Sequence, residues 1–230
     1  MRLLVSLCLI SAAWAWGAPP QFTPRPEDKQ ELYRMLDEIR AKIRSGELSD
    51  AWRQSVLLHT TLARYTGARA SPQLELSHLE MLAGKDAISR TPLVARMAKT
   101  ALAAGDRAKA QRYANEALEA SQHGVFPWTG DAIHQGNIVL GRLALERGEV
   151  EAAKRFLLLA GKTPGSTTLA STGPNMALAR DLLQKGESAA VLQYLEECGE
   201  FWGGNRGKLA EWTVLIRAGL KPDFGPNVDY

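Results

Sequence analysis

The sequence predicts an all-α fold of antiparallel helical hairpins in series with a C-terminal covering helix. Three observations carry that expectation. Apolar residues recur at spacings of three and four along most of the chain, Ser-Pro, Thr-Pro and Gly punctuate them, and period-two runs of β-branched residues are missing. With 230 residues, 45% of them apolar and 23% charged, the chain has enough material for one good-sized domain or a short repeat array.

The opening stretch, "MRLLVSLCLISAAWAWGA", has a positive charge at Arg2, an apolar run from Leu3 to Ala13, and small residues at Ala13 and Ala15. This pattern reads as a secretory signal peptide over residues 1–15, cleaved after Ala15. The run is shorter than the roughly 20 residues that a membrane-spanning helix needs. The mature protein is therefore expected to be exported, periplasmic or secreted, with no membrane insertion after cleavage. Residues 16–26, "WGAPPQFTPRP", are rich in proline and read as a linker. Cleavage removes Cys8 and leaves Cys198 as the single cysteine, so no internal disulfide is expected. Cys198 follows Val191, Leu192 and Leu195 on an apolar stripe, which predicts a buried, inert thiol.

Residues 27–220 read as the helical domain. In "PEDKQELYRMLDEIRAKIRSGE" the stripe Leu32, Leu36, Ile39 and Ile43 predicts a helix ending near Gly46. Its antiparallel partner runs from Ser49 or Asp50 to about Gly67. The next two helices share one grammar: Ser71 or Thr91 as N-cap, Pro72 or Pro92 at the first helical position, Gly84 or Gly105 at the stop. Near the end, "NRGKLAEWTVLIRAG" places Leu209, Trp212, Leu215 and Ile216 on one face, as a helix covering the open end of an array should. Residues 221–230 form the C-terminal tail.

Alignment on glycines that precede an acidic residue yields four frames: "EIRAKIRSGELSDAWRQSVLL", "RMAKTALAAGDRAKAQRYANEAL", "VLGRLALERGEVEAAKRFLLLAG" and "ALARDLLQKGESAAVLQYLEEC". Each has an apolar helix, a Gly-Asp or Gly-Glu turn, and a second helix with small or apolar residues at matching positions. The pattern resembles the tetratricopeptide repeat family, whose repeat is about 34 residues long. Gly141 and Ala144 match its first helix and Ala153, Leu157 and Ala160 its second. Ala98, Ala101, Ala110, Ala114 and Ala117 do the same one frame earlier. Residues Asp131 to Trp202 also resemble a group of uncharacterised bacterial repeat proteins of this type. The turn glycines Gly46, Gly105, Gly148 and Gly186 are unequally separated, which predicts insertions, including an extra helix at 72–83.

The resemblance implies a right-handed solenoid with a concave groove lined by first helices, and a noncatalytic scaffold or adaptor role. One groove position falls immediately after the small-residue position of each first helix. It holds Arg40, Lys99, Arg142 and Arg180, a basic ladder suited to a protein or peptide partner, acidic in character. The competing expectation is a solvated face with local partners, such as Glu146 one turn after Arg142.

Other chemistry is weaker in the sequence. Gly161, Lys162 and Thr163 match the end of a phosphate loop, but Phe156 stands where its first glycine belongs and a helix precedes it. Residues 161–175 read instead as an inter-repeat loop, with Thr172 or Gly173 leading into a helix that contains Asn175 and Met176. A companion loop spans 123–137. Together the two loops offer a candidate pocket of Trp128, His134, Asn137, Ser166 and Asn175, the basis of an alternative reading as an enzyme or small-ligand binder. Against it, Phe126, Pro127 and Trp128 are expected to pack over neighbouring helices, Asp131 to cap a helix, and His134 to make a polar contact at a helix entry. No nucleophile pattern accompanies His134. The four histidines lack metal-ligand spacing, and the basic residues are dispersed among acids, so no cofactor, metal or nucleic acid is predicted. A third reading is a structural component of an envelope assembly that uses its end faces.

Overall fold

The computed structural model describes residues 71–83, 87–124 and 126–228, together with Gln30 and Arg34, both helical. The chain divides into two units, 1–70 and 71–230, and the helices with defined bounds all belong to the second. The signal peptide, the linker, the first hairpin and Arg40 lie outside the described residues.

Among the described residues the protein is all-helical. Nine α-helices run α1 Pro72–Ala83, α2 Ala87–Ala103, α3 Arg107–Ser121, α4 Thr129–Glu146, α5 Val150–Gly161, α6 Thr167–Thr172, α7 Ala177–Gln184, α8 Ser188–Gly199 and α9 Lys208–Arg217, followed by a 3-10 helix at Gly225–Val228. The α1 helix starts at its proline, a first-turn position that needs no N–H partner. The α2 helix starts earlier than its Thr-Pro pair predicts and carries Pro92 inside. Tertiary contacts hold the extra turn. Arg90 makes a forked ion pair with Glu116 of α3 and lies over the Tyr113 ring, which offsets the backbone bond that Pro92 forgoes.

The three glycine turns joining α2 to α3, α4 to α5 and α7 to α8 are alike. Gly105, Gly148 and Gly186 sit at φ of 83, 80 and 86°, a region that favours glycine. In each turn the glycine N–H donates to the carbonyl three residues back, and the following acidic residue donates to the carbonyl five back: Asp106 to Ala101, Glu149 to Ala144, Glu187 to Leu182. This pair of bonds satisfies the last carbonyls of one helix and reverses the chain into the next. The acidic residue then becomes the next N-cap, and Asp106 also accepts the Lys109 N–H at 2.9 Å. Gly219, after α9, repeats the geometry, with Leu220 donating to Leu215. There the chain continues into the tail instead of another helix.

Helix α4 is the centre of the unit. It packs against α2, α3, α5, α6 and α7, and most of its residues are buried. One apolar core, formed by α1 to α4, includes Val94, Met97, Ala98, Ala101, Ala110, Ala114, Ala117 and Leu143. A second, formed by α4, α5, α7, α8, α9 and the tail, includes Ala144, Ala153, Leu157, Ala160, Leu182, Tyr194, Trp212 and Phe224. The small residues allow close approach. A Cβ added to Gly141 would stand 2.3 Å from Leu178 and 3.1 Å from Phe156, so only hydrogen there lets α7 and α5 meet α4. Trp212 and Ile216 bury the inner face of α9, and Phe224 meets Trp212 edge to face at 4.9 Å.

Candidate functional site

The 161–175 connection, expected to be an inter-repeat loop, is partly helical. It carries the short helix α6, which Ser166 caps by accepting the Leu169 N–H at 3.0 Å. The helix expected to contain Asn175 and Met176 begins only at Ala177; both residues precede it in a non-helical segment. The segment before α6 lies flat on the start of α4, where a Cβ at Gly130 would fall 1.8 Å from the Gly165 carbonyl oxygen. Thr163 fastens it by donating to the Gly130 carbonyl at 2.9 Å.

His134, on α4, is fully buried. Its Nδ1–H donates to the Ala160 carbonyl at 3.0 Å, and its Nε2 accepts the Asn175 N–H at 2.9 Å. The Asn175 bond requires a lone pair on Nε2, which assigns the tautomer. Burial holds the imidazole down to about 4, with the Ala160 carbonyl opposing the shift. Asn175 in turn accepts the N–H of Ala177, the first residue of α7, at 2.9 Å and donates to Gln135 at 3.3 Å, while Tyr194 donates to the Asn175 carbonyl at 2.9 Å. These bonds satisfy a buried, non-helical backbone segment.

The structure therefore joins two of the five loop candidates. His134 and Asn175 bond to each other in the interior. Asn137 is buried and donates back to Ile133 at 2.8 Å. Trp128 stacks on Phe126 with ring centroids 4.9 Å apart and precedes α4 as its N-cap, the place expected of Asp131. Asp131 sits in the first turn instead, its carboxyl raised by burial and partly restored by a hydrogen bond with Ser166. Ser166 also lines an open surface depression of about 730 Å³ with Thr167, Ser171, Glu200 and Phe201, and the other four candidates are not part of its wall.

Sequence reasoning missed Asn227. Its side chain donates to the Thr172 and Pro174 carbonyls, both at 3.0 Å, and its own carbonyl accepts the Met176 N–H at 2.7 Å. A signal was present: Gly-Pro-Asn occurs at 173–175 and again at 225–227, and the two tripeptides clasp each other. No family model matches the chain, and no curated protein or solved structure matches it either.

The basic positions lie elsewhere. Lys99, Arg142 and Arg180 fall on α2, α4 and α7, and α4 packs against both of the others. Lys99 is half-buried. Arg142 Nε donates to Asp181 Oδ2 at 3.1 Å, while Arg180 grips Asp181 Oδ1 through Nε at 3.1 Å and Nη2 at 3.0 Å. Glu146, the local partner expected for Arg142, pairs instead with Arg107 of α3 at 3.1 and 3.2 Å. Packing explains the exchange, because α7 brings Asp181 to Arg142 and α3 brings Arg107 to Glu146. A shallow depression of about 180 Å³ opens between α4 and α7, lined by Arg142, Leu145, Glu146, Asp181, Gln184 and Lys185.

Cys198 is buried, and burial pushes its thiol well above the ordinary range. Among the described residues no group of three or more His, Cys, Asp or Glu side chains is placed to hold a metal. No helix there is long and apolar enough to cross a membrane.

Proposed function

We propose that the protein is an exported, noncatalytic scaffold or adaptor, a right-handed solenoid of tetratricopeptide-like hairpins that holds an acidic protein or peptide partner in its concave groove. In this reading α2, α4 and α7 are successive first helices, and Arg40, Lys99, Arg142 and Arg180 are successive rungs. The observation that supports it most is the Arg142–Asp181–Arg180 cluster, where two guanidiniums, 33% and 44% exposed, share one carboxylate. A surface carrying more fixed positive than negative charge attracts carboxylates and steers their approach. Equivalent glycine turns before α3, α5 and α8 support the repeat assignment.

The test is crosslinking in cells, comparing wild type with an Arg142→Glu, Arg180→Glu double variant shown to keep its helicity and Tm. Loss of a reproducible partner from the variant alone is the expected result. An unchanged set of crosslinked proteins would sink the groove reading. A second reading, a structural component of an envelope assembly, draws on exposed Val214 and Leu220 at the α9 end. It predicts that Val214→Asp lowers the sedimentation coefficient at high concentration, and a coefficient equal to wild type at every concentration would remove it.

A further inference from the structure

Asp181 is the singular feature of the basic surface. It stands on α7 beside one rung, Arg180, and reaches across to another, Arg142 on α4. Each carboxylate oxygen is committed, Oδ2 to Arg142 and Oδ1 to the fork of Arg180. The two cations are not equally satisfied. Arg142 engages only its Nε, and among the described residues its two terminal nitrogens make no hydrogen bond. Arg142 lines the depression between α4 and α7, and Lys185, at the end of α7, adds a second positive charge with no ion-pair partner among the described residues. Leu145 supplies an aliphatic patch in the same wall, and Glu146, the second carboxylate there, is taken up by the Arg107 guanidinium of α3.

A guanidinium is a fork with five donors, and its terminal pair matches the two oxygens of a carboxylate. With Nε held by Asp181, the Arg142 plane is already oriented and its terminal pair is available. We infer that this depression is the carboxylate subsite of the groove, anchored by Arg142 and flanked by Lys185, and that Asp181 is a built-in counter-charge that weakens the grip. The occupant is an acidic side chain or chain-terminal carboxylate of an extended peptide, with a neighbouring aliphatic group against Leu145. The inference rests on the groove reading above and adds a regulator to it.

The physical argument is a balance of two effects. Asp181 orients Arg142, which favours binding, and repels an incoming carboxylate while neutralising Arg180, which opposes it. Orientation involves a single hydrogen bond to Nε. Repulsion acts between full like charges on a side chain only 23% exposed, where screening by water is reduced. The electrostatic effect dominates, so removing the charge while keeping the shape strengthens binding.

Fluorescence anisotropy with a fluorescein-labelled peptide of alternating Glu and Gly tests this, with the Gln-and-Gly peptide as control. The expected result is that wild type binds the Glu peptide, Asp181→Asn binds it about fivefold tighter with a steeper dependence on salt, and Arg142→Gln loses about tenfold. Asp181→Ser serves as the second charge-removing variant, and the Tm of each protein is measured alongside. Equal or weaker binding by the folded charge-removed variants, with wild type still binding, overturns the role of Asp181 and leaves the groove reading intact. Failure of wild type and all variants to distinguish the Glu from the Gln peptide overturns both.

Discussion

His134, expected from the sequence to make a polar contact at a helix entry, makes two of them in the interior. Its ring has two nitrogens, and both are engaged with backbone groups in the buried interior. Its ordinary value near 6.5 is held down to about 4 in the fold. Between those values the unfolded chain takes a proton that the folded chain does not, so stability is complete above the upper value and falls as pH drops toward the lower one. The slope of this contribution is at most about 1.4 kcal/mol per pH unit, for a total of about 3 kcal/mol. Urea unfolding across that window should show the loss, and His134→Gln should flatten it; an equal slope in the variant would remove His134 from the account. Cys198 makes a matching prediction. Its buried thiol should resist a disulfide reagent in the native protein and react at once in denaturant. Rapid native labelling would mean that α8 opens readily.

Among elements, the turns and the helix contacts place different demands on glycine. Around Gly148 and Gly186 there is open space, and only the positive φ disfavours a side chain. Replacement by Ala should cost about 1 kcal/mol at each turn, additively in the double variant, because each is the same isolated motif. Gly141 has the opposite problem. It is helical, and a Cβ there meets Leu178 at 2.3 Å, so Gly141→Ala should cost about 2–3 kcal/mol despite the better helix propensity of alanine. Thermal unfolding of the three variants checks the ranking, and a Gly141 variant as stable as wild type would show that α7 shifts without penalty. The sequence made the turns legible because Gly followed by Asp or Glu recurs at the end of each apolar first helix, at unequal spacing. It hid the extra turn of α2, because Thr91-Pro92 looks like a helix start and only the contacts of Arg90 with Glu116 and Tyr113 reveal that it is not one.

At the level of the whole described unit, two apolar cores share α4, and the tail closes the second. The clasp between Asn227 and the segment 172–176 is the polar part of that closure. Asn227→Ala leaves the buried Pro174 carbonyl and the half-buried Thr172 carbonyl without their donor, a loss of about 1–3 kcal/mol. Hydrogen exchange should report it unevenly. The amides of Met176 and Ala177 should exchange faster, while those of α2 and α3, in the other core, should stay as protected as in wild type. Uniform acceleration would show instead that the two cores unfold as one.

The glycine stops after α2, α4 and α7 and the small residues at helix crossings were legible in the chain because they depend on near neighbours: a stripe, a cap, a glycine that permits a left-handed turn; the start of α2 and the whole of α6 were not. The buried alanines and the inner face of α9 came from the same local periodicity. The partners of polar groups did not. Which carboxylate meets Arg142, which backbone groups meet His134, and why a second Gly-Pro-Asn stands near the end of the chain all depend on residues far apart in sequence. Hydrogen bonds and ion pairs are short-ranged and directional, so only the packing of α7 and the tail against α4 could select them.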